Sequence, residues 1–420
     1  MRISTRAVVT CAVAAAAGCA QPPRAIEAPV PPVTSAGCDD ARYIEAISRE
    51  AQPSAGPLVL AEVACIALPS THFPRSAPAL SPDGTRFFAY DGIEGLWIGT
   101  VGSKSPPRHV FGRLTFDKLG YADTLPFAWS ADSTALLGAR QSTGPGGWAH
   151  GPLRPVAIPD GAEPEELPVA TLAAGPLDGL LWVGSGGLAV AEFGTKGGYY
   201  RPEHGDPEPT IALIDAREGT VLQAIGFPGA ESPLARIQEI DARLDSEGRL
   251  HAVLTFDNHW FEWRQGEELR PLWLDVATWR RPFALSPDLE TLLVVHGLSA
   301  TGVICERDPK CPPPTPSTGT IADLRELGTG RVVWRIEGTA KTFSGAGKPV
   351  ISADGKYALI TMPQKVERSS QTLALVSMAD GGVLQELPYP AWGQSAYGFG
   401  DGGRSVWISG SSVLHYRWKD

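Results

Sequence analysis

The sequence predicts an all-β fold, a seven-bladed β-propeller whose ring is closed by an N-terminal strand. Three observations carry that expectation. A turn of the Ser-x-Asp-Gly type recurs between short apolar segments, starting at residues 81, 130, 184, 245, 286, 352 and 400. Its spacings of 41–66 residues match a propeller blade with loop insertions. Gly (47) and Pro (38) make up about a fifth of the 420 residues, which suits many short strands joined by turns. Beyond the N-terminus, helical periodicity is confined to a brief stretch at 39–50.

The chain opens MRISTRAVVTCAVAAAAGC, two arginines ahead of an apolar run too short to span a bilayer. The run ends Ala16-Ala17-Gly18-Cys19, which resembles the lipobox of bacterial lipoproteins. That resemblance implies a signal peptide at 1–18, cleavage before Cys19 and a diacylglycerol on its sulfur. The rival is ordinary signal-peptidase cleavage nearby. Lipidating Cys19 leaves Cys38, Cys65, Cys305 and Cys311 beyond it, an even number, as disulfides in an oxidising compartment require. Ala20, where an inner-membrane retention signal has Asp, implies an outer-membrane lipoprotein of the cell envelope. Residues 19–37 then form a Pro-rich, disordered tether, with a short helical segment at 38–57 and the propeller at 58–420.

The clearest inner hairpins are at 79–90, 283–297 and 350–362; weaker copies lie at 127–139, 180–193, 242–256 and 397–410. Asp or Ser at the turn accepts or donates a backbone hydrogen bond, and Gly takes the positive φ of a tight reversal. Outer hairpins follow at 210–226, 320–338 and 372–388, with the alternation of half-exposed strands. The last unit has three strands, whereas 58–69 holds an orphan strand ahead of the first turn. The orphan is expected to complete the last blade and remove the free edges. A Cys38–Cys65 disulfide would pin the helix to it.

The turns resemble those of bacterial TolB-type, WD-repeat-like β-propellers over roughly 58–420. The outer hairpins are more distantly similar to quinoprotein-like and BamB-type repeats, through Asp215, Gly219 and Val221 and through Gly330, Val332 and Trp334. The resemblance implies a fold and leaves the activity open.

A net charge of −10, or −12 without Arg2 and Arg6, and no basic run argue against nucleic-acid binding. No histidine opens an HExxH, no Gly-x-Ser-x-Gly elbow or P-loop occurs, and a strand-like segment follows the Gly398, Gly400, Gly403 pattern. Catalytic residues are unknown, and no cofactor or metal site is expected. Cys305 and Cys311 are expected to close a surface loop.

The connections between second and third strands hold the candidate binding face: Trp148, His150, Tyr199, Tyr200, His204, His259, Trp260 and His296. The alternatives are ordinary solvated loops or a metal held by some of these histidines. The turn-bearing rim is expected to be the less functional one. The function expected is non-catalytic binding or scaffolding of an envelope protein, peptide or glycan ligand. The alternative is a propeller enzyme: a hydrolase, lyase or quinone-dependent oxidoreductase.

Overall fold

A computed structural model describes residues 34–66, 79–91, 95–111, 127–130, 133–143, 149–159, 163–168, 177–183, 187–193, 210–226, 237–256, 259–272, 274, 282–296, 317–340, 347–363, 371–389, 396–410 and 412–419. Seven sheets follow one another along the chain, antiparallel apart from one strand added to the last. Blades one to six span 79–111, 128–166, 177–226, 237–272, 283–340 and 350–389, four strands each in sequential order. First strands of successive blades adjoin from blade three to blade seven, as they must around a central axis. Second strands such as Leu250–Phe256 are buried at every position, while the outer strand Thr220–Gly226 alternates between exposed and half-buried. A strand with blades stacked on both faces must be apolar throughout; one at the periphery need not be.

Blade seven closes the ring as expected. Its own strands are Ala396–Gly400, Ser405–Ser409 and Ser412–Trp418, and Leu58–Cys65 pairs antiparallel with the last of these, Leu58 opposite Trp418. Gly398 and Gly400 lie in the first strand of blade seven, and Gly403 ends the short turn Asp401–Gly403 that leads into the strand Ser405–Ser409. A further strand, Thr34–Ala36, adds in parallel to Leu58–Cys65. It lies within 19–37, the segment expected to be tether, so residues 34–36 of that segment are strand instead. Gly37 follows with φ of +67°, and a Cβ there would meet the Gly102 carbonyl oxygen at 2.1 Å. Only glycine fits that approach to blade one.

The helix forms at Ala41–Glu50. Asp40 caps it, its carboxylate accepting from the Arg42 N–H at 2.9 Å. Ile44, Ile47 and Ala51 pack on the core shared by blades six and seven, and the buried Tyr416 hydroxyl donates to the Ala51 carbonyl at 2.9 Å. Cys38 is bonded to Cys65, with Cα atoms 5.3 Å apart.

The repeated turn is one device. Gly84, Ser133, Gly248, Leu289 and Gly355 all take positive φ. Each N–H closes onto the carbonyl three residues earlier, at 2.8–3.0 Å. In blades one and six the Ser81 and Ser352 hydroxyls donate to Asp83 and Asp354 at 2.6 and 2.7 Å, and blade five repeats the bond from Ser286 to Asp288. Where glycine is missing, Ser133 and Leu289 are held in the left-handed region by the same bonds. Asp132 lies outside the described residues.

Candidate functional site

Of the residues expected on the connection rim, Trp148, Tyr199, Tyr200 and His204 lie outside the described residues, as do Cys19, Cys305 and Cys311. His150 lies in the strand Ala149–Pro159. His259 is exposed at the head of the strand His259–Arg264. Its neighbour Trp260 is not: it is 3% exposed, with its ring centroid 4.9 Å from that of Phe283 in blade five. Strand alternation explains the correction. Trp260, Glu262 and Arg264 share one face of blade four, and that face packs on blade five. His296 is also engaged: its Nε2 sits 3.2 Å from the fully buried carboxylate of Asp323. Neither Trp260 nor His296 therefore offers a free surface side chain.

The facing sheets of blades four and five hold most of the buried charge among the described residues. In blade four, His251 Nε2 lies 2.7 Å from Glu262 Oε1. Arg264 donates to the same oxygen at 2.9 Å, and Arg270 Nε donates to Oε2 at 2.7 Å. Burial alone would raise the Glu262 carboxyl, but His251, Arg270 and Arg264 outweigh it and lower it to about 2. In blade five, Arg325 grips Asp323 through Nε and a terminal nitrogen at 3.0 and 2.8 Å. Burial opposes ionisation there too, and His296 and Arg325 overcome it, holding Asp323 below its ordinary value. The partners pair across strands or two residues along one, so the register assembles both clusters. Their charges are spent on one another.

At the axis, Lys348 precedes the first strand of blade six and reaches the first strand of blade four. Its Nζ lies 3.0 Å from Asp241 Oδ1 and donates to the Ile240 carbonyl at 3.3 Å. Asp241 Oδ2 accepts from the Leu285 N–H of blade five at 2.8 Å, and the Tyr397 hydroxyl of blade seven donates to the Lys348 carbonyl at 2.7 Å. Four blades are thus joined around one ion pair. Glu239 and Arg243 share the strand and face of Asp241 and are half-buried.

A cleft of about 240 Å³ opens elsewhere, between blades one and two on the turn-bearing rim. Arg86, Arg108, Thr100, Ser103 and Ser105 line it, with Trp129 of blade two. The Arg86 guanidinium lies over the Trp129 ring, 5.2 Å from its centroid. Trp129 is fixed in turn: its Nε1 donates to the Ala79 carbonyl at 3.2 Å, and its ring sits 6.2 Å from that of Phe88. Sequence patterning sent attention to the opposite rim, because it weighed loop length and exposed aromatics. The missed signal is Arg86, a cation placed just after the first turn where the two facing sheets meet.

Among the described residues no three His, Cys, Asp or Glu side chains form a group able to hold a metal ion. No protein-family model matches the chain, and no curated protein matches it significantly.

Proposed function

We propose that the protein is a non-catalytic binding or scaffold propeller, lipid-anchored at the cell envelope, that engages a protein, peptide or glycan. The observation that carries this reading is an open cleft on a rigid ring. The charges buried between blades four and five are neutralised in place, and the axial Asp241 is matched by Lys348. The cleft between blades one and two, about 240 Å³, is lined by Arg86, Arg108 and Trp129 with the hydroxyl side chains of Thr100, Ser103 and Ser105. A rigid ring carrying an open cleft suits recognition. Export and anchoring rest on the lipobox-like Ala16-Ala17-Gly18-Cys19, and the TolB-type kinship rests on the turns.

The test is capture from envelope fractions with the intact protein and with Arg86→Ala/Arg108→Ala. One partner retained by the first and lost by the second is expected. Equal capture by both would overturn the role given to the cleft. Cys19→Ala should release the protein from membranes, and unchanged partitioning would refute the anchor. The enzyme reading keeps one observation in its favour, the Asp241–Lys348 pair with Glu239 and Arg243 beside the axis. Turnover of an envelope substrate abolished by Asp241→Asn, with the fold intact, would favour it.

A further inference from the structure

We propose that the outer edge of blade three is a self-association surface, on which a second copy of this chain adds its own blade-three strand antiparallel about a two-fold axis. This contact is separate from the cleft between blades one and two.

The fourth strands of a propeller are its outward-facing sheet edges, and an uncovered edge invites another strand. Six of the seven are blunted here. The fourth strands of blades one, two and four are short, Arg108–Phe111, Glu165–Glu166 and Arg270–Leu272, and each carries charge. Blade five has the longer Val332–Ala340, but Arg335 and Glu337 stand exposed on it. On blade six, Ser54 lies along Val383–Tyr389: its N–H donates to the Glu386 carbonyl at 3.1 Å, and the Glu386 N–H donates to its hydroxyl at 2.9 Å. Pro388 removes a further donor from that strand. Blade seven carries Thr34–Ala36 on its edge.

Blade three has none of these devices. Its fourth strand, Thr220–Gly226, runs seven residues without charge or proline. It pairs with Thr210–Asp215 on one side, and among the described residues none of its backbone groups bonds to a backbone group on the other. Thr220, Leu222, Ala224 and Gly226 are exposed. Leu222, at 48%, is the most exposed large apolar side chain among the described residues. Val333, Val383 and Leu384 are exposed as well, on strands already charged or covered. A bulge sits at Leu222, but blades five and six carry the same bulge at Val333 and Leu384, so it does not set blade three apart. The strand is also held ready: the Gln223 amide donates to the Glu267 carbonyl at 2.9 Å and accepts from the Gly266 N–H at 2.7 Å, both in blade four.

Three properties select a second copy as the occupant. The first is charge. Each copy carries −10, yet the strand offers no charge at any of its positions, so pairing it with itself brings no like charges together along the seam. The second is preorganisation. The mate is a strand already formed, with the same twist and its own Gln223 anchor, so it loses none of the freedom that an extended peptide would lose. The third is size. Seven residues span about 23 Å, and one strand pair lies below the roughly 1,200 Å² at which stable interfaces begin. The dimer is therefore weak, with a Kd on the order of 10–100 µM, and it closes at two because both copies use the same surface.

The experiment is sedimentation of the purified full chain from about 1 to about 300 µM at low and high salt, with amide hydrogen exchange on the same samples. The mass is expected to rise from one chain to two and no further. High salt should move the rise to lower concentration, by screening the −10 charge on each copy. Amides of 220–226 should exchange more slowly in the concentrated samples. Leu222→Lys and Ala224→Lys each place a charge at an exposed edge position, so both should keep the chain monomeric with an unchanged melting temperature. Val333→Lys, on blade five, should dimerise as before. A monomer at every concentration, a dimer untouched by both lysine variants of blade three, or a mass that grows beyond two chains would each overturn the proposal. Loss of the dimer in Val333→Lys alone would move the contact to blade five and overturn it too. If the chain stays monomeric and binds a labelled peptide of the sequence 220–226, with binding lost in Leu222→Lys, the occupant is a foreign strand and the second copy is ruled out.

Discussion

Glu262 and His251 meet inside blade four, Oε1 to Nε2 at 2.7 Å, with side chains only 2% and 6% exposed. A carboxylate so buried is tolerated because three cationic or proton-donating groups surround it. The folded value of about 2 lies below the ordinary 4.5, so the folded state holds this proton less tightly than the unfolded one. Stability from Glu262 is therefore full above about pH 4.5 and is lost as pH falls toward about 2. Glu262→Gln should lower stability near neutrality by about 2–3 kcal/mol, because His251 and two arginines lose their counter-charge. It should also flatten the acid limb of a plot of urea midpoint against pH. An acid limb identical to that of the unsubstituted protein would show that Glu262 is not linked to folding.

The turns give a second prediction. Asp354 is exposed, yet it accepts from the Ser352 hydroxyl and from the Lys356 N–H at 3.1 Å, so its cost on removal is that of a local bond. Asp354→Ala should destabilise by about 1 kcal/mol in urea titrations. Ser352→Ala should cost more: Ser352 is fully buried, and its Oγ also accepts from the Tyr357 N–H at 3.0 Å. The reverse order would mean that the turn is held by its backbone bonds alone.

These two sites mark what was legible in the sequence. Ser352 and Asp354 interact two residues apart, so the turn is written locally and could be counted seven times. The closing strand 58–65 was legible by subtraction, as a strand without a hairpin partner beside a blade one strand short. Glu262 was not legible in the same way. His251 is 11 residues from it, and their meeting depends on a register that sets His251 opposite Arg264 and Val253 opposite Glu262. A glutamate inside the aromatic run His-Trp-Phe-Glu-Trp-Arg was the available signal. Trp260 misled for the same reason: its exposure depends on which face of the strand meets blade five. The cleft at Arg86 depends on two blades stacking, which no single hairpin records.

A third prediction concerns ring closure. Cys38–Cys65 encloses 27 residues of separation and holds the helix and the strand Thr34–Ala36 against the closing strand. Gln385 of blade six reinforces that seam, accepting from the Leu58 N–H at 2.7 Å and donating to the Ser54 and Leu58 carbonyls at 2.8 and 2.9 Å. Cys38→Ser should lower stability by about 2–4 kcal/mol, chiefly by releasing the unfolded chain. Reductant should lower the melting temperature of the unsubstituted protein and leave that of Cys38→Ser unchanged. A drop in both would place the effect elsewhere.

The axial ion pair supplies the last prediction, and it separates a structural role from a chemical one. Lys348 and Asp241 belong to blades six and four, so their attraction acts across the first strand of blade five, whose Leu285 N–H is held by the same carboxylate. Both side chains are partly shielded, 27% and 17% exposed, so water weakens the pair without abolishing it. In a double-mutant cycle, Lys348→Met and Asp241→Asn should therefore show a coupling energy of about 1–2 kcal/mol. Asp241→Asn should be the milder single change, because the amide oxygen can still accept from Leu285. Lys348→Met leaves a half-buried carboxylate without its cation and should cost more. Urea titrations of the single and double variants measure both quantities. A coupling near zero would mean that the pair does not brace the ring; its charges would then be free to act on a ligand at the axis, which is what the enzyme reading requires.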